Sequence, residues 1–382
     1  MKSKGKIGIF TGYFLPHLGG VERYTEKLSE ELKILGYDIT IITSNHDNLV
    51  SEEIGRRHIY RLPICKMAKQ RYPIPKKNKE WFKLYHKIEL EQFDYIICNT
   101  RFHLTSMIGA KMAHKFNIPV LLIEHGSNHF TVNNRVLDYF GGIYEHFLTY
   151  NLKKYVKHFY GVSQRCNNWL KHFGIEASGV FYNSIDDKAF SLFKDKKYNI
   201  NFKGKTVLTF AGRLIKEKGI YILLDAFTLL EKKYNNICLV IAGDGPILSE
   251  LKDKYKSKKI YFVGKLGYNE IMSLYNSTDI FIHPSMFPEG LPTAILEAGL
   301  MNCAIVATDR GGTIEVINNE KYGLICLENI DSLKEKIEEL ITKPQLISTL
   351  KKNIHKRIVD DFTWKITAKI VDKELENIKN GK

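Results

Sequence analysis

Short β-branched runs alternate with helix-length amphipathic segments from one end of this chain to the other, and that order leaves few architectures open. A parallel strand reaches its neighbour through a crossover, commonly a helix, so the alternation specifies parallel sheets covered on both faces. In the first half, strands are expected at 7–11, 39–43, 95–99, 120–124 and 159–162. Val21, Tyr24, Leu28, Leu32 and Leu35 recur at helical spacing until Gly36 closes the helix. The pattern then restarts. Strands at 207–211, 239–242, 261–263, 280–283, 304–307 and 323–326 are separated by helices near 219–232, 246–257, 268–276 and 292–301. Residues 186–205 are polar and aperiodic and read as a linker. Three helices follow, 331–341, 344–359 and 363–379, the last with Asp361 as a candidate cap. The fold class is α/β, with two doubly wound domains, 1–185 and 186–360. Ligands of such sheets bind beyond the carboxyl ends of the strands.

The composition narrows function less sharply. With 382 residues, 44% hydrophobic and 26% charged, the chain is neither disordered nor fibrous. No apolar run approaches the roughly 18 residues of a membrane span. The basic start leads into a run broken by Gly12 and Pro16, which is not a secretory pattern. Six cysteines at 65, 98, 166, 238, 303 and 326 form no CxxC pair, the usage of a reduced cytoplasmic chain without disulfides or structural zinc. The net charge of +15 is unevenly held: residues 1–184 carry 26 Lys and Arg against 16 Asp and Glu, and eleven of the thirteen histidines. Such an excess fits nucleic acid, an anionic membrane surface or phosphorylated ligands.

The residues that can carry chemistry stand where strands end. Gly19 and Gly20 precede a helix start, where bare backbone N–H groups make an anion site or simply a tight turn. His125, followed by Gly126, ends a strand, whereas His103 and His129 lack that setting. In the second half Gly212-Arg213 and Lys218 follow a strand and open a helix. The Arg213 fork and the Lys218 charge suit a diphosphate held without a metal. Gly243-Asp244-Gly245 and Gly264 are strand-end turns along which a base can pass, although the third glycine of a dinucleotide fingerprint is missing. Glu289 sits in a loop before Pro292, and Glu297 lies eight positions on, within the helix that follows. Two carboxylates so placed can accept hydrogen bonds from sugar and ribose hydroxyls. Gly311-Gly312-Thr313, before Glu315, is a further phosphate-capable turn.

Taken together, Gly19-Gly20, His125-Gly126, Gly212-Arg213 with Lys218, Gly243-Asp244-Gly245 and Glu289-Gly290-Leu291-Pro292 with Glu297 resemble family 4 of the glycosyltransferases, in its order and near its spacing. Phe362-Thr363-Trp364 resembles its closing segment. The resemblance implies a GT-B fold, with two Rossmann-like domains facing across a cleft. The first would bind the acceptor and receive the C-terminal helix, 361–382, and the second would bind the nucleotide sugar. It implies retaining, metal-independent transfer from a UDP- or GDP-sugar, with no cofactor. Arg213 and Lys218 would neutralise the diphosphate, Glu297 would bind the ribose, and Glu289 the donor sugar beside Gly290, Leu291 and Thr293. Gly19 and Gly20 would meet phosphate, and His125 would approach the sugar. A nucleotide-sugar epimerase or phosphorylase on the same scaffold is the alternative.

The basic excess is then assigned to the acceptor side. Residues 66–87 hold eight Lys and Arg and one acid, interleaved with Trp81, Phe82 and Tyr85. Residues 151–172 add further lysines with Tyr155, Phe159 and Trp169. A basic, aromatic segment suits an anionic membrane interface. The expectation is a peripheral enzyme at the inner face of the plasma membrane, acting on a lipid-linked saccharide in bacterial surface polysaccharide assembly. Charge alone supports a nucleic-acid partner, no binding module accompanies it, and none is expected.

Overall fold

The computed structural model describes residues 3–17, 19–46, 49–54, 57–65, 72–131, 134–200, 202–287 and 290–381. The chain divides into two compact units, Met1–Asn183 with Trp364–Lys382, and Ser184–Thr363.

The first unit opens with β1 (Gly5–Phe10), α1 (Gly20–Ile34), β2 (Tyr37–Asn45), β3 (Glu52–Ile54), β4 (Arg57–Cys65), β5 (Ile74–Pro75) and α2 (Lys79–Glu89). It continues with β6 (Tyr95–Asn99), α3 (Leu104–Phe116), β7 (Val120–Glu124), α4 (Arg135–Leu152), β8 (His158–Gly161), α5 (Gln164–Lys171) and β9 (Gly179–Val180). The sheet runs β3-β4-β2-β1-β6-β7-β8-β9. Ile7 pairs with Ile39 on one side and Tyr95 on the other, so the strand order reverses between β1 and β6. Among the described residues only β3 and β5 run antiparallel, each to β4. Strand β4 escapes the β-branched pattern because Arg57 and Arg61 are buried in it. Arg57 donates to Ser29 Oγ at 2.9 Å, and Arg61 meets Glu52 at 2.7 Å.

Alternate residues of the parallel strands serve opposite faces. Ile97 packs with Ile9, Ile41 and Ile123 under Leu28 and Leu32 of α1. Its neighbours Ile96 and Cys98 join Phe10, Leu122 and the Ala110–Met112 side of α3. The first face is completed from the far end of the sequence. Trp364, Ala368, Val371 and Leu375 of the C-terminal helix are buried in it, and Tyr37 and Tyr160 donate to Asp372 and Glu374, each at 2.8 Å. The aromatics of the basic segments are mostly interior, contrary to the interfacial reading. Trp81 is buried and stacked on Tyr85, Phe159 is buried, and Tyr155 and Trp169 pack against the core. Phe82 alone of those is exposed, and residues 66–71 lie outside the described residues.

The second unit contains α6 (Lys188–Phe193), β10 (Thr206–Ala211), α7 (Ile220–Lys233), β11 (Ile237–Ala242), α8 (Leu248–Lys254), β12 (Ile260–Gly264) and α9 (Tyr268–Asn276). Next come β13 (Ile280–His283), α10 (Thr293–Leu300), β14 (Ala304–Thr308), α11 (Thr313–Val316), β15 (Leu324–Cys326), α12 (Ile330–Thr342) and α13 (Pro344–Asp361), before the chain returns to the first unit as α14 (Trp364–Lys379). The order β12-β11-β10-β13-β14-β15 reverses between β10 and β13. The expected linker is part of this unit. Ala189 and Phe193 of α6 are buried, and Tyr198 N–H bonds to Ser277 Oγ at 2.9 Å. Six helical residues are too few to show a period. The division falls at 183/184 because Ile185 donates to Phe362 O at 2.9 Å and bridges Thr363. Asp361 does not cap α14; it ends α13, where Arg357 holds it at 2.7 Å.

Leu375→Ala should lower stability by roughly 2–5 kcal/mol, because it opens a cavity in the first unit's core. Ile370→Ala, on the exposed side of the same helix, should change it by under about 0.5 kcal/mol. Urea unfolding of the two variants checks the burial of α14.

Candidate active site

At the carboxyl ends of β10, β11 and β12 a cavity of about 650 Å³ is lined by Gly212, Arg213, Gly243, Asp244, Lys265, Tyr275 and Glu297, with their neighbours. Strand register makes it. Ala211 lies opposite Ala242, and Ala242 opposite Gly264, so three turns begin at one level. Gly212 N–H donates to Ala242 O at 3.0 Å, Gly243 N–H to Gly264 O at 2.7 Å, and Leu214 N–H to Asp244 O at 2.9 Å. A Cβ on Gly243 would stand 1.9 Å from Gly212 O, and φ there is +149°, so both space and conformation demand glycine. The Arg213 side chain is exposed and makes no hydrogen bond or ion pair with the described residues. Glu297, half-buried on α10, is close enough to the buried Tyr275 that its charge adds to burial in raising the Tyr275 pKa well above its ordinary value.

Lys218 does not line this cavity. It ends a short 3₁₀ turn where the loops after β10 and β13 meet, with its Nζ 6.0 Å from the centroid of the Phe287 ring. Met286 N–H donates to Glu217 O at 2.8 Å. Gly219, at φ +69°, leaves only 1.9 Å between a would-be Cβ and Pro284 O. The junction is the point at which the strand order reverses. Glu289 falls outside the described residues. Beyond it Leu291 is buried, Thr293 is exposed at the first turn of α10, and Gly290 O accepts from Gly312 N–H at 2.5 Å. That bond packs Gly312 against the Gly290 loop, and the helix that follows, α11, is only four residues long.

In the first unit Gly19 caps α1 and Gly20 begins it; a Cβ on Gly20 would meet nothing within 4 Å. A Cβ on Gly19 would lie 2.3 Å from Glu22 Oε2, so a buried carboxylate already faces the helix start, near His17 Nδ1 at 3.4 Å. His125 Nε2 lies 3.1 Å from Asn99 Oδ1, and Asn99 Nδ2 donates to Thr25 Oγ1 at 2.9 Å. Asn99 Oδ1 is therefore the acceptor, and Nε2 carries the His125 proton. Burial, helped by the charge of His103, pushes the His125 pKa down to about 3. His103 itself is pushed down to about 4 by burial. Its ring covers Gly12, where a Cβ would come within 2.2 Å of Nδ1.

Several of these residues carry little or no signal in the sequence pattern. His103 caps α3 rather than ending a strand, and only the β1/β6 adjacency carries it over Gly12. Asn99 was legible as a strand end. Arg101 was not: it is wholly buried, 3.0 Å from Glu145 and 3.4 Å from Glu124. Glu124 Oε1 in turn accepts the N–H groups of His125, at 3.1 Å, and Gly126, at 2.8 Å. Burial raises the Glu124 pKa, and Arg101 opposes the shift.

These two strand-end sites sit in regions shared with known proteins. Glycosyltransferase Family 4 matches residues 18–189, and Glycosyl transferases group 1 matches residues 193–357. An uncharacterized glycosyltransferase of Methanocaldococcus jannaschii is 28% identical over 392 residues, covering 99% of this chain and 100% of its own. The phosphatidylinositol N-acetylglucosaminyltransferase GPI3 subunit of Saccharomyces cerevisiae is 22% identical over 391 residues, covering 98% of this chain and 83% of its own. In fold, the chain resembles Anabaena HepE in complex with UDP, with a TM-score of 0.72 at 17% identity over 99% of this chain and 100% of that one. Two Rossmann-like domains of the GT-B type define the class. The chain belongs to family 4 of the glycosyltransferases and is a glycosyltransferase.

With their pKa values pushed down to about 4 and about 3, the half-buried His103 and His125 should stay neutral in the folded chain down to about pH 4, whereas in the unfolded chain they take up protons near pH 6.5. Between those values the unfolded state binds more protons, so stability is present above about pH 6.5 and is lost as pH falls. His103→Gln should therefore reduce the proton uptake on unfolding near pH 5 by about one. Denaturant midpoints measured from pH 4 to pH 7 check this; an unchanged slope would show that the folded imidazole protonates.

Proposed function

We propose that this glycosyltransferase moves a sugar from a nucleoside diphosphate donor, UDP-sugar before GDP-sugar, to a lipid-linked saccharide, with retention and without a metal in the transfer step. The observation that carries the reading is the single cavity that gathers the Arg213 guanidinium, the Gly243 turn and the Glu297 carboxylate. A guanidinium matches phosphate oxygens with paired donors, and a carboxylate accepts from two ribose hydroxyls. The UDP preference draws on the fold relative crystallised with UDP. Lys265 on the cavity wall adds a second cation beside the diphosphate.

Breaking the sugar–phosphate bond leaves charge on the departing diphosphate. Preorganised cations lower the barrier by stabilising that charge, the role assigned to Arg213 and Lys218. The acceptor hydroxyl attacks from the leaving-group face and passes its proton to a β-phosphate oxygen, so transfer occurs with retention. Glu289 and the turn Gly290-Leu291 to Thr293 hold the donor sugar, and Gly264 borders the base. The N–H of Gly20, next to Gly19, contacts phosphate. His125, neutral with its proton on Nε2, uses Nδ1 to accept from a sugar hydroxyl rather than acting as a cation.

The lipid-linked acceptor is supported by α4. Val136, Phe140, Ile143, Phe147 and Tyr150 recur on one face of this helix and are between 53% and 66% exposed. Its opposite face buries Glu145, Leu148, Thr149 and Leu152. Among the described residues no helix is long and apolar enough to cross a membrane, so α4 would lie in the interfacial plane. The basic excess of residues 1–184, with Lys154 and Lys157 just past α4, complements anionic headgroups. One relative is named for a lipid, phosphatidylinositol. A cytoplasmic location at the inner membrane face fits the six unpaired cysteines.

A thermal-shift panel of nucleotide sugars should find a stabilising UDP-sugar. Glu297→Ala should weaken nucleotide binding, and Arg213→Ala or Lys218→Ala should lower kcat by about 100-fold or more. Stabilisation by no nucleotide, or unchanged kinetics in all three variants, would refute the reading, and turnover of donor without acceptor would favour an epimerase. In liposome flotation the wild type should prefer anionic vesicles, and Phe140→Asp/Phe147→Asp should stay with the unbound fraction. Equal recovery on neutral vesicles would remove the membrane from the proposal.

A further inference from the structure

Three histidines from separate stretches of the first unit meet, none of them a residue assigned to transfer. His129 lies in the loop after β7, His146 on α4, and His172 at the C-cap of α5. One ring nitrogen of each lies within 4.8 Å of the other two. The ring centroids are 5.7 Å apart for His129 and His146, 5.3 Å for His129 and His172, and 5.0 Å for His146 and His172.

Their surroundings are those of a ligand set rather than of three surface rings. The buried Glu145 places Oε2 3.1 Å from His129 Nδ1, and a carboxylate only accepts. The His129 proton is therefore on Nδ1, and Nε2 keeps the lone pair a metal needs. Glu145 is itself held, accepting from Phe130 N–H at 2.7 Å and from Arg101 Nη2 at 3.0 Å. Trp169 stacks on His172 with centroids 4.7 Å apart and 6° between planes, which fixes that ring from the other side. Imidazole is the ligand of zinc and its neighbours among the first-row metals, and three imidazoles leave a fourth position for water.

We propose that His129, His146 and His172 bind one divalent transition metal, of which zinc is the best match, with its fourth position left to water. The ion ties the loop that begins at His125 to α4 and α5. It sets the backbone behind the strand end and takes no part in sugar transfer. The absence of a CxxC motif does not bear on such a site, because its ligands are histidines that only the fold brings together.

The test uses untagged full-length protein, stripped with a chelator and titrated with zinc chloride by calorimetry at neutral pH. One zinc per chain should bind and raise the melting temperature. His146 and His172 are exposed, so His146→Ala and His172→Ala keep the fold, which circular dichroism verifies; each should weaken zinc binding at least about tenfold. Glu145→Gln, if folded, should weaken it by roughly 10- to 100-fold through the His129 tautomer. No zinc bound by the wild type, or equal affinity in the His146→Ala/His172→Ala double variant, overturns the proposal. Nucleotide-sugar binding is measured separately, so failure here leaves the donor site untouched.

Discussion

Everything in the second unit's cavity depends on one close approach of backbone to backbone. Because β10 and β11 are in register to their last residues, Gly212 and Gly243 leave the sheet together, and the carbonyl of one fills the place of a side chain on the other. No larger residue fits at Gly243. The turns that follow are braced by Gly243 N–H on Gly264 and Leu214 N–H on Asp244, so Arg213 is presented by rigid main chain.

The first unit positions its site by a different means. Here a fully buried Arg101 is set between Glu124 and Glu145, and removing the arginine would strand two buried carboxylates without their counter-charge. The carboxylates do more than neutralise the arginine. Glu124 holds the His125-Gly126 backbone, and Glu145 holds Phe130, so the two acids hold the loop after β7 at its start and near its middle. Thr100, next to this network, adopts φ +70°, costly for a β-branched residue, and Ser106 Oγ braces it through the carbonyls of Asn99 and Thr100.

The two units therefore turn the same topology to opposite electrostatic ends. In one, a permanently charged fork stands in an open cavity. In the other, desolvation pushes the pKa values of His125 and His103 down toward the neutral form, and a carboxylate, Glu22, stands at the α1 start where an anion site was expected. The net positive charge of the first half is carried largely on exposed lysines and arginines, and the outer face of α4 is apolar.

What the sequence alone determined was whatever depends on local periodicity. The core strands, α1, the longer helices of the second half and the glycines at strand ends could be read from it, because side-chain alternation and turn conformation are properties of neighbours along the chain. Strand β4 and helix α6 were illegible, the first because its arginines are buried with distant partners, the second because six residues show no period. The outer face of α4 was illegible too, since an apolar stripe at helical spacing reads as core until the fold leaves it uncovered. Tertiary structure alone decided which residues share a site. Strand order carried His103 over Gly12, drew Arg213 and Glu297 into one cavity from distant positions, and brought three histidines together from a loop and two helices. Such contacts follow from which strands become neighbours, and that is settled by packing between segments far apart in the chain.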